Sequence, residues 1–473
     1  MFNFKLPSWY TSPWCQIVLV GMTCFGTPGM FSAVSNLGAG GTQDVVLSDT
    51  SNAVLYGMFA VTGMVSGSIN NVLGPRLTLF LGTLGYALYV GSLWCFQTQG
   101  TQWFVIFAGA VLGVTAALLW SAQGAIMMSY PLEKDKGKSF GIFWAIFQLG
   151  VFVGSVIALA INIKDGGLTA VSTSTYIAFL VIIFLGVASS FLVLPPDRIV
   201  RSDGSRVAIE PATAVHKEII GMGKLLKDWR LLALLPMFFA SNWFYAYQNA
   251  INAGVFDGPT RALNGTLSGA GSIIGALFIG FFVLDGQWLK RRTRGYLALA
   301  VITVMTIIVW GIGISWQVDF TRATVKEMLA AKDLISYKQS RYTGKGTLYF
   351  FYYFNDACYQ ALAYWIMSAL TNDPFTLARL AGVYKAVQSA GSAGSFGMDA
   401  VATPYLNEQV GSFAMMLFSF PLAFLVIRTV KESNYEEEHV VFVDDVKTNL
   451  EAGDSEHDEK ASVQGESPTL PAA

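Results

Sequence analysis

Long apolar runs, almost free of charge, alternate with short polar segments along this chain as far as Ile427. About 20 helical residues cross roughly 30 Å of hydrocarbon, and twelve stretches reach that length. The first six are 14–36, 51–71, 77–98, 103–128, 139–162 and 171–194; the second six are 231–252, 262–284, 295–318, 346–371, 375–398 and 405–427. The first nine contain no Asp, Glu, Lys or Arg. The pattern predicts an all-α membrane protein with twelve transmembrane helices in two six-helix halves. Segment 1–13 is then a cytoplasmic N-terminus and 14–194 the first bundle. Segment 195–230 is a central loop opened by Pro195-Pro196-Asp197, 231–427 the second bundle and 428–473 a tail. The first run is too long, and lacks the basic lead-in, for a cleaved signal peptide.

Composition sharpens this. Of 473 residues 53% are hydrophobic and 13% charged, against roughly a quarter charged in soluble proteins. A soluble enzyme is disfavoured, as is a secreted disulfide scaffold. Cys15, Cys24, Cys95 and Cys358 lie in or beside apolar runs with no CxxC pair, suggesting neither zinc nor disulfides. With the N-terminus inside, the inner segments hold 18 Lys/Arg and the outer loops 8, so the positive-inside rule places both termini in the cytoplasm. Residues 432–473 carry twelve Asp/Glu and two Lys/Arg, the composition of a solvating, disordered tail. No retrieval motif closes the chain, which leaves the plasma membrane and a vacuolar or other endomembrane both open.

Charges inside spans are costly and point to function. Asp356 and Lys385 each lie about ten residues into the tenth and eleventh spans, which run in opposite directions; at 1.5 Å per residue both are near the midplane. They suit a pair in which Asp356 gains and loses a proton, a static pair that fixes two helices, or two groups each facing a water-filled cavity. Arg379, one turn into its span, is expected to snorkel to headgroups, and Asp399 and Glu408 to be interfacial. Uncharged polar and aromatic groups recur nearby: Trp120 and Gln123, Trp144 and Gln148, Asn242, Tyr245 and Gln248, Asn355, Gln360, Tyr364 and Trp365, and Gln388. Such a set suits a small polar or amphipathic solute, or hydrogen bonds between helices. Its few charges argue against a phosphate ester, which would call for Arg. Glycines four apart (Gly63 and Gly67, Gly150 and Gly154, Gly271 and Gly275), with Gly391, Gly394 and Gly397, allow close helix approach. Apolar spacing within 319–345 reads as a surface helix. No Walker loop, dinucleotide glycine pattern or HExxH occurs, and His216, His439 and His457 lie outside the spans. The expectation is therefore no cofactor, no metal, no catalytic constellation and no nucleic-acid partner.

Twelve spans in two sixes around a long central loop resemble the major facilitator superfamily. Gly67-Ser68-Ile69-Asn70-Asn71-Val72-Leu73-Gly74-Pro75-Arg76 looks like its G-x-x-x-D-x-x-G-x-R signature, with Asn71 where an acid is usual. The resemblance implies a gating loop of Gly67, Asn71, Gly74 and Arg76 that latches the cytoplasmic side, here weakened or held by hydrogen bonds alone. A tight turn at Gly74-Pro75 with a positive-inside Arg76 is the plain alternative. The matching segment from Gly280 to Arg294 keeps Asp285 and four basic residues but not the spacing. In that superfamily spans 1, 4, 7 and 10 line the cavity, and spans 2, 5, 8 and 11 meet between the halves.

A narrower resemblance is carried by Trp120-Ser121-Ala122-Gln123-Gly124, Tyr130-Pro131, Lys136-Gly137-Lys138 and Phe143-Trp144-x-Ile146-Phe147-Gln148-x-Gly150. Asp356-Ala357-x-x-Gln360, Tyr364-Trp365, Asn372-Asp373 and Tyr384-Lys385-x-x-Gln388-Ser389-x-Gly391 extend it. These resemble the uncoordinated-93-like family, of the ion channel regulatory protein type and fungal in character, over residues of about 15 to 430. The resemblance implies one of two roles. One is a secondary active transporter working by alternating access, to which the reading of Asp356 and Lys385 adds protons as coupling ion. The other is a non-transporting regulator or trafficking partner of a channel or other membrane protein.

Overall fold

A computed structural model of the chain describes residues 6–36, 44–162, 173–207 and 213–435. The tail from 436 onward, and Lys5 and Lys164 of the charge pattern, lie outside the described residues. The described chain is almost entirely helical. Helices α1 (Pro13–Gly26) and α2 (Pro28–Asn36) meet at Thr27. They are followed by α3 (Val45–Leu73), α4 (Pro75–Gln99), α5 (Gln102–Ser129), α6 (Lys136–Asn162) and α7 (Thr173–Ser189). The central segment contributes α8 (Val215–Leu225). Then come α9 (Trp229–Ala240), α10 (Phe244–Val255), α11 (Gly258–Leu277) and α12 (Arg291–Gln317). Last are α13 (Arg322–Ala331), α14 (Thr343–Leu370), α15 (Pro374–Ala400) and α16 (Tyr405–Ile427).

Local chemistry sets these limits. Asp44, Asp228, Asp257 and Asp373 cap α3, α9, α11 and α15, each carboxylate accepting from a backbone N–H in the first turn. Between α3 and α4, Gly74 sits at φ 79°, a backbone open to glycine at little cost, and Pro75 starts the next helix. Gly100 closes α4 at φ 72°. α11 ends in a π-helical turn, Phe278–Leu284, which delivers Asp285.

Among the described residues nine helical stretches are long and apolar enough to cross a membrane. They correspond to nine of the twelve expected spans and establish an integral, multi-pass membrane protein. The stretches expected at 231–252, 346–371 and 375–398 are helical but fall outside that set. The first is broken into α9 and α10 by a turn at 241–243, while α14 carries Asp356 and α15 carries Arg379, Lys385 and Asp399.

The outer faces carry exposed Phe184, Leu185, Ile308 and Ile312, as hydrocarbon demands. Inside, α3 packs on α5 and α15, α6 on α1 and α11, α11 on α14, and α16 on α9 and α12. The glycines divide between two tasks. Gly63 and Gly67 lie so close to α15 that a Cβ would collide with Ala386 and with the Ala378 carbonyl. Gly150 instead abuts Phe25, Gly271 and Gly275 abut Phe350 and Phe354 of α14, and Gly391 abuts Phe239. Only the first pair serves the α3–α15 contact.

Candidate functional site

The chain encloses a cavity of about 130 Å³ near the middle of the bundle. Trp120 of α5 and Trp144, Phe147 and Gln148 of α6 form one wall; Asn242 and Tyr245 near the α9–α10 break, Gln360 of α14 and Lys385 and Gln388 of α15 form the other. A smaller pocket shares Ser35, Asn52, Asn249 and Phe396 with it and adds Asp49, extending toward the end remote from the central segment.

Asp356 and Lys385, both buried, are joined through amides rather than by direct contact. Lys385 Nζ donates to Gln388 Oε1 at 2.8 Å, Gln388 Nε2 to Gln360 Oε1 at 3.2 Å, and Gln360 Nε2 to Asp356 Oδ1 at 3.0 Å. Tyr245 OH donates to Asp356 Oδ2 at 2.8 Å. Gln388 Nε2 also reaches Ser241 Oγ and Asn242 Oδ1, so the break in the α9–α10 region supplies acceptors to the same chain of bonds. Lys385 Nζ lies 4.7 Å from the ring centre of Trp120, 4.8 Å from Tyr384 and 5.4 Å from Tyr364. A cation held by aromatic faces keeps part of its solvation inside the membrane.

Not every sequence candidate faces this cavity. Tyr364 donates to Gln123 at 3.0 Å beneath the Lys385 cage. Asn355 donates to Thr306 on α12 at 2.9 Å, Trp365 packs on Gly295, and Gln248 lies buried with its carbonyl accepting from Tyr349. Phe31, Tyr56, Phe59 and Tyr353 line the cavity without having been singled out; among so many aromatics, no signal in the sequence separates them from ordinary packing.

The two ends are built differently. At the central-segment end, Asn71 donates to Glu218 at 3.0 Å and to the Phe375 carbonyl at 2.9 Å. Arg379 grips both oxygens of Glu218 at 2.9 Å. Arg379 is therefore paired with α8 rather than snorkelling, because a buried carboxylate within reach outweighs distant headgroups. The acid missing at Asn71 is supplied by Glu218. Arg76 donates to the Val193 carbonyl at 2.7 Å, tying the α3–α4 turn to the segment that follows α7. Beside it, Glu133 contacts Arg291 at 3.3 Å and accepts from Asn372, Ser433 and the Asn434 backbone. Asp285 accepts from the Lys138 backbone N–H at the start of α6. Burial pushes its carboxyl up to about 7 against the pull of that N–H and of Arg294. At the opposite end Arg322 of α13 bonds Asp399 and, at 2.8 Å, Glu408, and lies 4.0 Å from the Tyr405 ring centre. Those acids, both buried, thus share one arginine of a short helix.

The almost entirely helical membrane bundle, with a polar cavity and ion pairs at both ends, has a major-facilitator-like fold. Its fold resembles the crystal structure of the human organic anion transporter MFSD10 (TETRAN), with TM-score 0.56 and 12% identity, over 89% of this chain and all of that one. The sequence profile described as "Ion channel regulatory protein UNC-93" matches residues 49–398. An UNC93-like protein of Schizosaccharomyces pombe is 39% identical over 422 residues, 88% of this chain and 82% of the relative. UNC93-like protein 1 of Arabidopsis thaliana is 36% identical over 421 residues, 88% and 90% of the two chains. The chain belongs to the UNC-93 family.

Proposed function

We propose that the protein is a secondary transporter of a small polar or amphipathic solute. In this reading twelve spans form two halves, α1–α7 and α9–α12 with α14–α16, and both termini and the central segment face the cytoplasm. The observation that carries it is the cavity itself. Its walls come from both halves, and the cytoplasmic end is shut by pairs, Glu218 with Arg379 and Glu133 with Arg291, that must part for the solute to leave. The α3–α15 and α6–α11 contacts are then the sliding surfaces, with Gly63 and Gly67 permitting close approach. Asp356 is the proton-carrying group: the amide chain from Asp356 to Lys385 passes along the cavity wall, so protonation of one end alters the field at the other. The membrane is the plasma membrane or a vacuolar or other endomembrane.

Asp356→Asn, expressed at matched surface levels, should abolish pH-dependent solute flux measured at two external pH values while folding and targeting persist. A variant that transports with unchanged pH dependence would remove the coupling role. A second reading, a regulator or trafficking partner of a channel, is favoured by the description of the family as ion channel regulatory. It expects co-purifying membrane proteins and tolerance of Gln148 or Gln360 substitution.

A further inference from the structure

The cavity wall is unevenly charged. Among the described residues that line it, Lys385 alone is ionisable to a full charge near neutrality, and no carboxylate belongs to the lining. Its ammonium has one hydrogen-bond partner, Gln388, and its neighbours are rings. The Trp144 indole N–H, also on the wall and buried, has no acceptor among the described residues. Trp120 links the two donors, its ring being 4.7 Å from Nζ and 6.3 Å from the ring of Trp144. A buried donor without an acceptor is costly, as is a cation whose nearest carboxylate, Asp356, is reached only through Gln388 and Gln360, and a negatively charged acceptor at this wall would relieve these costs. Aromatic faces ordinarily attract cations, but Lys385 already occupies Trp120, Tyr364 and Tyr384 and would repel a second one.

We infer that the cavity binds an organic monoanion, a single carboxylate on an apolar or aromatic body. The carboxylate sits against Lys385 and the Trp144 N–H, and the body against Phe31, Tyr56, Phe59 and Phe147. A dianion would leave its second charge with no partner in this lining. This inference rests on the cavity being the solute site, and it names the class of solute.

The test uses the full chain in lipid nanodiscs with radiolabelled benzoate, competed by benzamide, benzylamine and phthalate. Benzoate should bind saturably and at least about tenfold more tightly than any of the three, roughly the discrimination of one good charge-assisted contact. Lys385→Gln should bring benzoate down to the benzamide level, Lys385→Arg should keep the order, and Trp144→Phe should weaken benzoate several-fold. If Lys385→Gln does not fold, the wild-type order and Trp144→Phe decide. Absence of saturable benzoate binding overturns the inference, as does binding of benzamide or benzylamine as tight as benzoate, or an unchanged affinity in folded Lys385→Gln. Flux in proteoliposomes separates this from the transport reading. Lysine-dependent benzoate binding without flux supports the anion site and defeats transport. Flux of a neutral or cationic solute through a chain that does not bind benzoate defeats the anion site and leaves transport standing.

Discussion

The two ends of the bundle differ in how many parts of the chain hold them. At the central-segment end, α8, the α3–α4 turn, the 132–138 segment, Asp285, the α14–α15 turn and residues 432–434 interlock through buried charges and amides. At the opposite end a single arginine from a short surface helix spans two carboxylates, and pockets reach toward it. An end held by many mutually dependent polar contacts opens as a unit, whereas one held by a few ion pairs over an apolar cluster yields to local change. Charges and amides therefore tie more parts of the chain together at the first end than at the second.

Breaking the Glu218–Arg379 pair should have the largest effect. Removing one partner of a buried ion pair costs about 3–5 kcal/mol. Glu218→Ala should accordingly lower the melting temperature markedly and expose a cysteine placed at Ala378 to reagents from the central-segment side. Restoration of protection by adding Arg379→Leu would assign the loss to the stranded arginine. Unchanged melting and labelling would mean that this end is not held by the pair. At the other end Arg322→Gln leaves Asp399 and Glu408 without their cation. Because water lies close and Arg322 is one-fifth exposed, the cost should be smaller, about 1–3 kcal/mol. It should appear as faster labelling near Asn249 with the central-segment end still protected; opening of both ends together would refute their independence.

The smallest effect is a pH dependence. The Asp285 carboxyl, raised from its ordinary value to about 7 by burial, is protonated in the folded state where the unfolded chain has lost the proton. Its contribution is complete below the ordinary aspartate value and declines as pH rises to about 7, with no further loss above that. Asp285→Asn should flatten the melting temperature between about pH 4 and about pH 7 relative to wild type, the interval between the ordinary and the shifted carboxyl values. An unaltered slope would place the titration elsewhere.

How much of this was written in the sequence depended on period and on partners. The apolar runs announced twelve spans, of which nine match helices long and apolar enough to cross a membrane among the described residues, and Asp356 and Lys385 drew notice by their cost in hydrocarbon. The stretches at 231–252, 346–371 and 375–398 were legible, yet nothing in local pattern foretold the turn at 241–243, because Ser241 and Asn242 act there through Gln388, 146 residues distant in the chain for Asn242. The same limit hid Glu218. It lies in a charged segment like any loop acid, and its role exists only once Arg379 is beside it. Asn355 and Trp365 illustrate the converse: they share a helix with Gln360 but face α12, a matter of helical phase that composition does not report.

Glu218 has a consequence for how such proteins are recombined. The segment that holds α8 is no mere tether, since it carries the counter-charge of a residue 161 positions downstream. In chimaeras with a relative, or in co-expressed fragments, a junction at 208–212 keeps α8 covalently with its arginine. A junction near Lys227 parts them and makes reassembly depend on the compatibility of two separately inherited pieces.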